Sequence, residues 1–186
     1  MSLAARDRLT FEEFLAIADE LPPGSQLIDG EVVVCVPVFR HQLIAAAIFE
    51  SFVLFSQGDR SLGQMGWAGL VQAGEHDAYV PDIWWVATAD ALPYDTGVFP
   101  EVPSLVIEVR SPSTWHLDRG RKLRRYEAKG VPEVWLVDGI DDEVTVHRRS
   151  EGSAGFDQVT VLHPGDTLAT PVVPGWVVDL GELLRR

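Results

Sequence analysis

Two acidic side chains stand where an apolar strand would exclude them. Asp82 directly follows Pro81 at the mouth of the run Ile83-Trp-Trp-Val-Ala, and Glu108 interrupts Leu105-Val-Ile-Glu-Val. An ionised carboxylate in a buried strand costs several kcal/mol unless it is paired or coordinates a metal. If the two strands are neighbours, the acids can face each other with Cβ atoms about 5 Å apart. That arrangement suits a hard divalent cation such as Mg²⁺ or Mn²⁺, which takes one or two carboxylates and completes its shell with water and phosphate oxygens. Each acid alone has a plainer explanation: Asp82 as a turn residue opening a strand, Glu108 as the partner of a nearby arginine. The pair is more informative than either member.

The segment that follows supplies the opposite charge. Asp118, Lys122 and Tyr126 are spaced by four, which places them on one face of a helix. The chain has only two lysines, Lys122 and Lys129, among its 15 basic residues. A lysine is a compact point charge able to orient a water or to stabilise charge growing on a phosphate. The same spacing also fits a surface Asp118–Lys122 ion pair worth under about 1 kcal/mol. His41, after Pro37-Val-Phe-Arg, opens a helix and could reach a phosphate or help position a metal-bound water; a structural role is the alternative. No G-x-S-x-G, H-E-x-x-H or phosphate-cradling glycine loop is present, so the triad-hydrolase, zinc-protease and P-loop chemistries lack their essential parts.

Positioning these groups falls to a recognisable series of elements. Thr10, with Glu13 three residues on, caps a short helix running to about Glu20. Residues 26–28 and 31–36, joined by Asp29-Gly30, form a hairpin. Residues 40–55 have helical apolar spacing. Strand character follows at 67–72, then a polar loop at 73–77, a buried strand at 83–87, a proline-rich loop at 91–103 and a strand at 105–110. Ser111-Pro-Ser-Thr stops that strand, and residues 116–129 form a helix closed by Gly130. Residues 134–137 are a buried strand, 143–147 and 158–162 a hairpin, and 179–183 a short terminal helix. This order predicts the α/β (α+β) class, a mixed β-sheet flanked by helices, as one domain over 1–186. Its parts are an N-terminal helix and hairpin (1–38), a core (40–138) and a C-terminal strand extension (139–186).

Composition narrows the partners. With 186 residues, 46% hydrophobic and 23% charged, the chain is neither a disordered tail nor a membrane protein. Apolar stretches such as 43–49 end well short of the roughly 18–20 residues of a bilayer span. The N-terminus shows no secretory pattern, and one cysteine, Cys35, makes neither a disulfide nor a zinc site, so a cytoplasmic location is expected. Fifteen basic against 28 acidic residues give −13, which repels nucleic acid on average. Residues 110–130, however, hold seven basic side chains (Arg110, Arg119, Arg121, Lys122, Arg124, Arg125, Lys129) and two acidic ones, +5 locally. A polyanion could be held only there; a solvated helix face is the alternative.

These residues together resemble the Uma-two family, bacterial proteins of the PD-(D/E)XK nuclease superfamily with a restriction-endonuclease-like αβββαβ core. The likeness rests on Pro81-Asp82, on Val-Ile-Glu-Val-x-Ser-Pro-Ser-Thr around Glu108, on Asp118, Lys122 and Tyr126, and on Gly130-Val-Pro-Glu-Val-Trp-Leu-Val-Asp138. Leu27-Ile-Asp-Gly-Glu31, His41 and Pro174-Gly-Trp extend it over nearly the whole chain. The resemblance implies Mg²⁺- (or Mn²⁺-) dependent hydrolysis of DNA. Asp82 and Glu108 would hold the metal and Lys122 would assist the attacking water. His41, Arg110, Asp118 and Tyr126 would support them, and Arg119, Arg121, Arg124 and Arg125 would contact the nucleic acid. Two departures stand out. Gln26 replaces the glutamate common before Leu-Ile-Asp-Gly, and the position two after Glu108 holds Arg110 instead of lysine, so the lysine is assigned from the helix.

A second class of function remains open, a catalytically degenerate scaffold acting as a binding or assembly module, with the site filled by an ion network. A homodimer would suit two-fold DNA targets, with the 134–137 strand and the region of Trp176 as expected contributors.

Overall fold

The computed structural model describes residues 8–87, 92 and 97–185. Helix α1 (Phe11–Ala16) starts where the sequence places it. Thr10 Oγ1 accepts from the Glu13 N–H at 3.2 Å, and Glu13 returns a bond to the Thr10 N–H at 2.8 Å. A 3-10 turn, Ala18–Glu20, finishes it. Strands β1 (Ser25–Ile28) and β2 (Glu31–Val34) pair antiparallel about Asp29 and Gly30, whose φ values of 55° and 75° make the turn that the right-handed twist of a hairpin favours. Helix α2 (Phe39–Ser56) buries Ile44, Ile48 and Phe52.

The main sheet has six strands in the order β10-β9-β8-β7-β6-β3. These are β3 (Gln64–Gly66), β6 (Ile83–Val86), β7 (Leu105–Val109), β8 (Glu133–Asp138), β9 (Glu143–Arg148) and β10 (Gln158–Leu162). Among its described strands only β7 and β8 run parallel, a pairing that needs a crossover, here the intervening helix. That helix is composite: α3 (Trp115–Leu117), one wide π turn (Asp118–Lys122) and α4 (Leu123–Lys129), closed by Gly130 at φ 86°. The expected αβββαβ core is therefore α2, β3, β6, β7, the composite helix and β8.

Strand alternation assigns the two faces of this sheet. Ile83, Trp85, Leu105, Ile107, Val109, Trp135 and Val137 pack against α2. The C-terminal hairpin β11 (Thr167–Ala169) and β12 (Val177–Asp179), with α5 (Leu180–Leu183), joins that layer. Val86, Val106, Val134 and Leu136 face the composite helix and a second sheet.

The second sheet is the main departure from the sequence-based expectation. Its order is β2-β1-β5-β4, with β4 (Val71–Gly74) and β5 (Asp77–Tyr79). The strand expected at 67–72 is broken, because Ala68 at φ 53° turns the chain between β3 and β4. The polar loop expected at 73–77 is a two-residue turn, Glu75-His76, and Asp77 already lies in a strand. Its charge suggested a loop, but arginines far along the chain satisfy it. The hairpin β11–β12 was also unforeseen. Part of the proline-rich loop, 93–96, lies outside the described residues, as do residues 1–7; Val98 bridges Leu70.

The expected dimer contributors are corrected by burial. Residues 134–137 form the middle of the main sheet, and Trp176 stacks on Trp135 at 5.1 Å inside the core. Neither the 134–137 strand nor the Trp176 ring offers a surface, although Val177 beside it is exposed. No helix among the described residues is long and apolar enough to cross a membrane.

Candidate functional site

Strands β6 and β7 are antiparallel with Ile83 opposite Ile107, so one step on Asp82 stands opposite Glu108. Glu108 faces the composite helix, whereas the Asp82 carboxylate, at the mouth of β6, reaches the first turn of α2. Asp82 Oδ2 accepts the Val109 backbone N–H at 2.8 Å and lies 2.9 Å from His41 Nε2. His41 is buried in the first turn of α2, and its Nδ1 has no hydrogen-bond partner among the described residues. A carboxylate facing Nε2 assigns the ring proton to that nitrogen.

Glu108 is fully buried. Its Oε1 receives the Tyr126 hydroxyl at 2.7 Å and the Lys122 ammonium at 2.7 Å. Lys122 Nζ also meets Asp118 Oδ1 at 3.1 Å. The wide turn at 118–122 adds a residue to the helical repeat, and the lysine is nevertheless aimed back at its own Asp118. Above it lies the Tyr79 ring, its centroid 5.9 Å from Nζ.

The electrostatics follow from three carboxyl groups around one ammonium in a dry setting. Burial pushes the Glu108 carboxyl up, Lys122 pulls it back, and Asp118 and Asp82 push it further, to about 8. Asp118 is raised as well, again mainly by burial. Burial alone would lower the Lys122 ammonium, but Glu108, Asp118 and Asp82 outweigh that and hold its proton more firmly than usual. Tyr126, buried beside Glu108, is held well above the ordinary phenol value. Burial thus favours a proton on the carboxyls that face the Lys122 ammonium.

Among the described residues no group of three or more His, Cys, Asp or Glu side chains is arranged to hold a metal ion. The two opposed carboxylates, Asp82 and Glu108, are nevertheless the donor type of a hard dication that keeps several waters. Lys122 is the cation that now faces Glu108 and Asp118.

The structure brings His41, Asp82, Glu108, Asp118, Lys122 and Tyr126 together. Arg110 is directed elsewhere, with Nη1 at 2.6 Å from Asp138 and 2.8 Å from Asp141. Within the basic stripe, Arg119 is exposed over the Trp115 ring at 5.9 Å, and Arg124 is exposed. Arg121 bonds Asp77 and Asp29 at 3.0 Å each, and Arg125 bonds Asp77 at 2.9 Å. A surface recess of about 320 Å³ is lined by Arg121, Arg124, Arg125 and Ala128.

Sequence reasoning missed Asp77, which has no solvent exposure. It ties β5 to the composite helix through both arginines, and it accepts the Tyr79 hydroxyl at 2.9 Å and the Asp29 N–H at 3.0 Å. The available signal was the spacing of Arg121 and Arg125, four apart on one helix face. Gln26, at the position of the family's glutamate, accepts the Val80 N–H at 3.2 Å.

A family model described as "Uma2: Putative restriction endonuclease" matches residues 11–181. The chain belongs to the Uma2 family. No curated protein matches it significantly. Among solved structures, this Uma2 chain is similar to a crystal structure from Anabaena variabilis ATCC 29413, described as "a putative nuclease belonging to DUF820". The TM-score is 0.79 at 19% identity, covering 95% of this chain and 98% of that one. At that identity the likeness speaks for the fold, which is restriction-endonuclease-like. The Uma2 match carries the nuclease assignment at the level of the family.

Proposed function

We propose that the chain is a DNA endonuclease that hydrolyses phosphodiester bonds with Mg²⁺ or Mn²⁺ held by Asp82 and Glu108. The observation that carries this reading is the convergence of Asp82, Glu108 and Lys122 in a chain of nuclease family and fold. A dication bound there would lower the pKa of a water and offset charge on the phosphate. His41 and the Val109 N–H fix the direction of the Asp82 carboxylate, so its lone pairs are pre-oriented. Tyr126 and Lys122 do the same for Glu108 from one side. The Lys122 ammonium, buried against Glu108 and Asp118, would orient a water or oppose charge growing on a phosphoryl oxygen once the dication had taken its place beside them. Arg119, Arg124 and Lys129, exposed on the helix, are side chains of the stripe open to backbone phosphates. On a chain of net charge −13 contact is confined to that stripe, so affinity falls with salt.

The test is cleavage of supercoiled plasmid with Mg²⁺ or Mn²⁺, beside Asp82→Ala and Glu108→Ala proteins purified identically. Nicking by the wild type alone is expected. Equal nicking by all three would mean a contaminant and would end the proposal.

One observation favours a second reading, a degenerate scaffold used for binding or assembly: Lys122 already pairs with Glu108 and Asp118. The readings separate by thermal shift, because a ligand of the folded state raises its stability. A Mn²⁺-induced rise in Tm that Asp82→Ala abolishes favours the nuclease, and no rise favours the scaffold.

A further inference from the structure

We propose that the outer edge of β2 and the chain leading from it into α2 form a homodimer interface, in which β2 pairs antiparallel with β2 of a second copy about a two-fold axis. β2 ends the order of the second sheet, with β1 on its one paired side. Soluble proteins protect such edges with charge, proline or bulges. Here the eight residues 32–39, Val-Val-Val-Cys-Val-Pro-Val-Phe, carry no charged side chain, and the first five are uninterrupted by proline. Between Glu31, which opens β2, and Arg40, which pairs with Asp142, the exposed side chains are apolar: Val34, Val36 at 77% exposure, Val38 and Phe39 at 85%, with Leu43 one helical turn on. Together they present on the order of 500 Å² of apolar surface, the upper part of what the largest patch of a monomer reaches. Two copies apposed would remove about 1,000 Å², the area from which a specific interface is expected.

Self-pairing is favoured over a foreign strand by charge. A chain of −13 repels its own copies, so it can meet itself stably only through an uncharged surface. A two-fold axis across β2 sets valines against valines and brings no like charges face to face along 32–39. The surface is separate from the core regions around Trp135 and Trp176, and the inference stands independently of the nuclease reading.

Sedimentation velocity of the full chain between 1 and 100 µM tests it, together with amide exchange. The expected result is a species of twice the 20.5 kDa chain mass, with protected β2 amides. Val34→Lys/Val36→Lys and, separately, Phe39→Ser should shift it to monomer by at least tenfold in dissociation constant, with unchanged circular dichroism. Protection at β2 should be lost in the lysine variant. A wild-type monomer at 100 µM would overturn the proposal. A dimer that both variants leave intact would place the interface elsewhere and overturn it equally.

Discussion

Replacing Lys122 with methionine tests the charge logic of the site directly. The side chain keeps its length and loses the ammonium that lies 2.7 Å from Glu108 and 3.1 Å from Asp118. Removing one partner from a buried ion pair costs about 3–5 kcal/mol, because a charge is left without compensation. The carboxyls have an escape, which is to bind protons. Burial already favours a proton on Glu108 up to about pH 8, so the added burden falls on Asp118. In the unfolded chain a carboxyl of this type releases its proton above about pH 4, and holding it costs about 1.4 kcal/mol per pH unit beyond that. The loss should therefore be about 2 kcal/mol at pH 5.5 and approach 5 kcal/mol at pH 8. The sign is set by a raised folded pKa on an acid: the folded form binds the extra proton, so stability falls as pH rises. Urea denaturation at the two pH values measures this. For a chain of this size each kcal/mol also moves Tm by about 2–4 °C. Adding Asp118→Asn to Lys122→Met should remove the extra pH dependence. A loss below about 1 kcal/mol at both pH values would show a solvated pair and would refute the argument.

Two further predictions follow from the same groups. Because Glu108 must release its proton to serve a dication, Mn²⁺ affinity should strengthen from pH 6 toward 8 and level off above, with proton release seen by calorimetry in buffers of different ionisation heat; an affinity flat over that range would contradict it. Burial pushes the Asp77 carboxyl up, but bonds from Arg121, the Asp29 N–H and Tyr79 outweigh this and leave it below its ordinary value. The stability it contributes is present above about pH 4 and lost in more acid solution, and Asp77→Ala should cost about 1–3 kcal/mol at pH 7, chiefly by leaving the buried Tyr79 hydroxyl and the Asp29 N–H without their acceptor, since Arg121 keeps Asp29 and Arg125 reaches solvent. Melting curves of the two proteins at pH 7 and pH 3 should differ and then converge.

The sequence made the main sheet legible because its information is local. Pro81-Asp82 opens β6, Ser111-Pro-Ser-Thr ends β7, and Gly130 at positive φ closes the helix between β7 and β8. The opposition of Asp82 and Glu108 could be expected once those strands were placed as neighbours. Asp77 was illegible for the converse reason: a charged residue in a short polar run reads as loop unless its partners, 44 and 48 residues away, are known. The same limit misdirected Arg110, two residues past Glu108 and just beyond the end of β7. Its destination is set by Asp138 at the end of β8, a parallel neighbour that local spacing does not reveal.

The lysine that answers Glu108 comes from a helix docked on the sheet, whereas the acid comes from the sheet itself. No short covalent path couples them, so the gap between ammonium and carboxylate is governed by how that helix sits. A tilt of the composite helix would draw the basic group away while the strands and their opposed acids stay still. Vacating the centre for a competing cation thus needs only a swing of the flexible lysine or a shift of one docked rod, not the rupture of any strand pairing.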